Sequence, residues 1–269
     1  MKPSHDPFNA DDYRHTFDTR GDLYNQAAAI NAEARQTERQ LLLDLLKIEH
    51  GHVICDVPAG GGYLADGLRA LVDDARQIIC VEPSVRFAEA IAHDFVQHIS
   101  DLDVLPLADA SVDRVGSLAG VHHLADKEAF FREAYRILKP GGLFALADAL
   151  EDTDTARFLN GPVDRYTETG HRGQFLRANE CEALLVAAGF TDVHVALRQY
   201  SWKFLSLNEM LRYVRTLFGM VKASNDDVQR ALQQHFRLVE DELVVELPWS
   251  LVYGVGRKKQ SLIEPLRSE

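Results

Sequence analysis

The chain has 269 residues, 46% hydrophobic and 26% charged, the balance of a globular protein with ample material for a core. Its net charge of −12 and pI near 5.4 repel a phosphate backbone, which argues against nucleic acid as a partner. No window approaches the ~20 apolar residues of a membrane span, the N-terminus lacks the apolar stretch of a secretory signal, and Cys55, Cys80 and Cys181 form no CxxC pair. A reducing, cytoplasmic setting without membrane insertion is expected.

Taken in chain order, Ile30, Ala34, Leu41, Leu42, Leu45 and Ile48 recur at three- and four-residue spacing and predict a helix over 27–48. An apolar run over 53–57 predicts a strand that ends in Pro58, Ala59, Gly60, Gly61 and Gly62, after which Leu64, Leu68 and Leu71 resume helical spacing. The alternation repeats: strand 77–81, helix 85–95, a short strand 95–99, strand 112–119, helix 127–138, strand 142–148 and helix 179–188 with Gly189 as its C-cap. Such alternation implies a parallel sheet covered on both faces. The last third breaks this rhythm, with a strand over 193–200, helices over 207–221 and 226–239, and a strand over 246–256.

Gly60 and Gly62 lack Cβ, so the turn after the first strand can bring main-chain N–H groups close to a ligand, or can serve only as a tight strand-to-helix connection. Glu82 ends the next strand beside that turn, where a carboxylate can accept from both hydroxyls of an unphosphorylated ribose; capping a helix is its other reading. Asp101 can accept from an adenine amino group while Leu102 packs on the ring, or Asp101 can be a turn acid. NAD is disfavoured because the glycine spacing does not give GxGxxG.

The order of these features resembles the class I, Rossmann-like methyltransferases, in particular the small-molecule subgroup similar to ubiquinone and menaquinone biosynthesis methyltransferases. The resemblance is good over about residues 50–150. It implies a doubly wound, mostly parallel seven-stranded sheet with an antiparallel last strand, and S-adenosylmethionine as cofactor. It assigns Asp56, Ala59, Gly60 and Gly62 to the methionine end, Glu82 with Pro83 to the ribose, Asp101 and Leu102 to the adenine. Residues 117–123, beginning with Ser117 and Leu118, run along cofactor and acceptor, and Leu138 to Gly142 form the turn before the fifth strand. Pro58 departs from the family's usual glycine, so one close backbone approach must differ.

His122 and His123 follow the fourth strand, where an imidazole can deprotonate an acceptor near neutral pH, or simply bond backbone and shape the pocket. No third ligand has recognisable spacing to the pair, so no metal is expected. Tyr24, Arg165, Tyr166, His171, Tyr200 and Trp202 are the expected acceptor-binding residues. The expected layout is an N-terminal lid over 1–26, a methyltransferase domain over 27–257 with cap insertions at about 150–176 and 205–240, and a polar tail over 258–269. The expected activity is methyl transfer to a small molecule by a monomer or homodimer. The alternatives are an acceptor acyl group on a carrier protein, or S-adenosylmethionine binding without catalysis.

Overall fold

A computed structural model describes residues 10–241 and 243–260. The parts of the expected lid and tail over 1–9 and 261–269 lie outside the described residues. Strands β1 (Ile54–Asp56), β2 (Ile78–Glu82), β3 (Val96–Ile99), β4 (Val112–Leu118) and β5 (Leu138–Asp148) pair in parallel, and β8 (Val245–Arg257) lies antiparallel between β5 and β6 (Thr191–Phe204). The order is β3-β2-β1-β4-β5-β8-β6, with the two-residue β7 (Val239–Glu240) added on β8, so the sheet has eight strands rather than seven. β1 is buried throughout and β5 is buried from Leu143 to Asp148, as expected of central strands covered on both faces.

The helices are α1 (Ala10–Ile30), α2 (Gln36–Leu46), α3 (Tyr63–Leu68), α4 (Val85–Ala88), α5 (Lys127–Ile137), α6 (Asp154–Phe158), α7 (Asp164–Tyr166), α8 (Glu180–Ala187), α9 (Leu207–Leu217) and α10 (Asn225–His235). One face of the sheet is packed by Leu42 and Leu46 of α2, Leu64 and Leu68 of α3, and the apolar sides of α9 and α10. Phe130 and Phe131 of α5 and Leu184 and Leu185 of α8 pack against Phe144 on the other. Among the described residues no helix is long and apolar enough to cross a membrane.

Several boundaries depart from the sequence reading for local reasons. The helix expected over 27–48 is two, because Asn31 Oδ1 accepts the Glu33 N–H at 3.0 Å while its Nδ2 donates to the Lys203 carbonyl and Glu209. The helix expected over 85–95 stops at Ala88: Gln97 Nε2 takes the Ile91 and Ala92 carbonyls. Lys139 to Gly142 end α5 as expected but belong to β5, since Gly141, at φ +82°, exchanges hydrogen bonds with Arg257, the last residue of β8, and Lys258, which follows it. β6 is longer than expected because it pairs with β8 along its whole length.

Position matters most at one place. From β1 the chain winds outward to β3 and then returns to β4 on the other side of β1, so the two loops leaving the carboxyl ends of β1 and β4 lie side by side. The Val57 N–H bonds the Gly116 carbonyl at 3.0 Å across this junction.

Candidate active site

The loop after β1 turns through Gly60 (φ +55°) and Gly62 (φ +88°) into α3. A Cβ on Gly60 would lie 2.8 Å from Phe87 Cζ, so the turn needs glycine for space as well as for conformation. Asp56 accepts the Ala65 N–H at 3.0 Å through Oδ2, while its buried Oδ1 has no partner among the described residues. Burial holds this carboxyl well above the usual range.

Glu82 is fully buried at the end of β2. It accepts the Gly60 N–H at 2.8 Å, the Ser84 N–H at 2.9 Å and the Tyr13 hydroxyl at 3.0 Å. Burial outweighs these three donors and pushes its carboxyl up to about 7. Asp101 pairs with Arg14, and Leu102 is buried beside it; with Pro83 they line a small cavity of about 110 Å³. α1 thus lies across the expected nucleoside positions: Tyr13 on Glu82, Arg14 on Asp101, and Phe17 stacked on Phe87 at 4.7 Å. The space left at the glycine turn, bordered by Ala59 and Leu118, is about 50 Å³. Ser117 is buried, with no partner for its hydroxyl among the described residues.

After β4 the chain turns at Val121–His123. His122 Nδ1 lies 2.6 Å from Asp148 Oδ1, and the His122 N–H bonds Asp148 Oδ2 at 3.1 Å. Because a carboxylate only accepts, the His122 ring carries its proton on Nδ1 and leaves Nε2 as a base. His171 is fixed in the same way: Asn160 Oδ1, which also accepts the Gly173 N–H, sits 3.0 Å from His171 Nδ1, and Asp164 accepts the His171 N–H. The His123 ring lies 4.1 Å from that of His122 and 5.2 Å from that of His171, and it borders all four neighbouring cavities. Burial holds His123 and His171 well below the ordinary histidine value, so both are neutral near pH 7.

One ring nitrogen from each of His122, His123 and His171 comes within 4.8 Å of the others, so a third imidazole does reach the pair that sequence spacing left as two. The cluster is able to hold a metal by its donor set, but the Arg20 guanidinium beside it lowers the basicity of His123 and His171 and opposes a second cation.

The expected acceptor residues divide into two groups. Tyr24, His171 and Trp202 gather with the histidines around an aromatic cavity of about 60 Å³ that includes Trp249, stacked on Trp202 at 4.3 Å. Arg165 is exposed over the Tyr166 ring, and neither borders these cavities. The Tyr200 hydroxyl and Trp202 Nε1 both donate to Glu38 (3.0 and 3.2 Å), which is ion-paired with Arg35 in the core. Their polar atoms are thereby committed to a structural network. Sequence reading missed Asp148 and Arg20: the first looks like an ordinary strand end, the second like a solvated residue in a polar helix.

A sequence model of the methyltransferase domain matches residues 55–146. Methyltransferase GfsG of Streptomyces halstedii is 32% identical over 46% of this chain and 49% of its own length, so the chain spans about half of that relative. The malonyl-[acyl-carrier protein] O-methyltransferase of Dechloromonas aromatica is 33% identical over 76% of this chain and 75% of its own. Among solved structures, the YcgJ protein of a Bacillus superposes with a TM-score of 0.61 at 17% identity, covering 84% of this chain and all of its own. A relative 33% identical over three quarters of both chains shows the family, and the chain belongs to the class I, Rossmann-like S-adenosylmethionine-dependent methyltransferases.

Proposed function

We propose that the protein transfers the methyl group of S-adenosylmethionine to a small-molecule acceptor, with the His122–Asp148 pair as the base that takes the acceptor's proton. The observation that carries this is the 2.6 Å contact between His122 Nδ1 and a fully buried carboxylate, in the turn whose next residue, His123, borders the cavity at the glycine turn. The residues fit the cofactor. Glu82 accepts from the ribose hydroxyls once Tyr13 yields, Asp101 and Leu102 meet the adenine, and Asp56 with the Gly60–Gly62 turn receives the amino-acid end, Asp56 through its free oxygen. Pro83, Ser117 and Leu118 close the sides. The bound sulfonium supplies an activated methyl. Asp148 fixes the His122 tautomer and stabilises the imidazolium formed as Nε2 takes the acceptor's proton; a placed base of this kind contributes ~10²- to 10⁴-fold.

In this reading α1 is a lid: Tyr13 and Phe17 must swing aside to admit the cofactor and then cover it, excluding water. Tyr24, His171 and Trp202 shape the acceptor space. The three buried free thiols suit a reducing compartment such as the cytoplasm. The test is incubation with methyl-labelled S-adenosylmethionine and a panel of phenols, hydroxy acids, amines and acyl-carrier thioesters. Label transfer to a free acceptor, lost in His122→Ala, supports the reading. Transfer to carrier-bound acyl groups alone would reassign the acceptor, and cofactor binding without any transfer would leave a binding protein.

A further inference from the structure

Arg20 is buried, with 8% of its surface exposed, and has no hydrogen bond or ion pair with any described residue; its Nη1 is sealed from solvent without a partner. The Phe17 ring lies 5.2 Å from its guanidinium carbon. This is not how the chain treats its other buried arginines. Arg35 is held by Glu38 and Tyr24, and Arg114 donates to the Leu46 and Lys47 carbonyls. An unpaired buried guanidinium is costly, and the fold keeps this one beside the imidazole cluster.

Arg20 borders both the aromatic cavity and a larger one of about 480 Å³, shared with His123 and His171. The larger cavity also holds Thr167, whose buried hydroxyl lacks a partner among the described residues. Its acids do not neutralise Arg20: Asp164 accepts the His171 N–H and lies 4.0 Å from Arg172, and Glu168 is exposed. Lys222 is turned to the Thr167 carbonyl at 2.6 Å. His15 is exposed at the rim. One guanidinium fork and one hydroxyl match a planar monoanion better than a dianion, and the rings of Trp202, Phe218 and Trp249 offer flat apolar surface beside it.

We infer that Arg20 anchors a carboxylate on the methyl acceptor, with Thr167 as a second donor, so that a planar hydroxy acid is held with its reacting atom toward His122 and His123. Burial draws the Arg20 guanidinium down to about 10, still fully charged at neutral pH. The inference rests on the reading of these cavities as the acceptor site, and its test separates the two. The full chain, saturated with S-adenosylhomocysteine, is titrated calorimetrically with 4-hydroxybenzoate, 4-hydroxybenzamide and 4-hydroxyphenyl phosphate. The acid is expected to bind about tenfold or more tightly than the amide. Arg20→Gln should erase that preference, with retained S-adenosylhomocysteine binding reporting an intact fold. Equal binding of acid and amide, a preference kept in Arg20→Gln, or tighter binding of the phosphate would each overturn the assignment; absence of S-adenosylhomocysteine binding in the native chain would instead defeat the methyltransferase reading. A second measurement needs no ligand. Because an unpaired charge is removed, Arg20→Met should raise the Tm of the ligand-free protein by about 2 °C or more. A lowered Tm would make Arg20 structural and sink the proposal.

Discussion

If Glu82 binds the ribose as a carboxylate, cofactor affinity must depend on pH in a calculable way. Without cofactor, burial holds the carboxyl at about 7. Two ribose hydroxyls donate to the ionised form, so binding selects it. At pH 7.5 about three quarters of the protein is ready to bind; at pH 5.5 about 3% is, which weakens the observed affinity about 25-fold, or about 2 kcal/mol. Burial also raises the Asp56 carboxyl, which adds to the slope, so Glu82 is isolated by comparison with Glu82→Gln. The assay is calorimetric titration with S-adenosylhomocysteine at half-unit steps from pH 5.5 to 8. The native protein should show the steeper decline, shallower in the variant by about that factor. The ligand-free protein supplies the matching sign. A carboxyl raised on folding binds more protons folded than unfolded, so its stabilising effect is complete below about 4.5 and is lost as pH rises through about 7. Affinity that is flat across this range, or falls equally in Glu82→Gln, would refute the assignment of Glu82.

Asp148→Asn should lower kcat by 10²-fold or more while leaving cofactor affinity within a few-fold, because it disturbs the tautomer of His122 but touches no expected cofactor position; rapid-quench turnover against calorimetric Kd separates the two. Glu38→Ala strands Arg35 and removes the acceptor of Tyr200 and Trp202, and should cost ~3 to 5 kcal/mol, seen as a Tm drop of about 10 °C. Gly60→Ala forces a Cβ to 2.8 Å from Phe87 at φ +55°, and should weaken cofactor binding about tenfold or more with little loss of secondary structure by circular dichroism.

The first half of the sheet was legible because its signals are local. A buried apolar run that ends in Asp56 and three glycines reads as strand, turn and helix; Glu82 ends the next strand as Asp56 ends the first, and Asp101 follows two residues after the third. The break at Asn31 was not legible: the apolar spacing continues through it, and the partners that break the helix, Lys203 and Glu209, come from more than 170 residues away. Asp148 gains its meaning only when β5 lies beside β4, which puts it under His122. Arg20 sits among Asp18, Thr19, Gly21 and Asp22, a context that reads as solvated helix surface until α9 and the imidazole cluster enclose it. Tyr200 and Trp202 are expected from the sequence to bind the acceptor, but their hydrogen bonds run to Glu38, which nothing in the sequence marks as a core acid.

The central claim is tested most directly by calorimetric titration of the purified chain with S-adenosylmethionine, S-adenosylhomocysteine and NAD. Micromolar binding of both sulfur nucleotides, at least tenfold weaker in Glu82→Ala and without detectable binding of NAD, is the predicted result; binding of NAD alone, or of none of the three, would contradict the account.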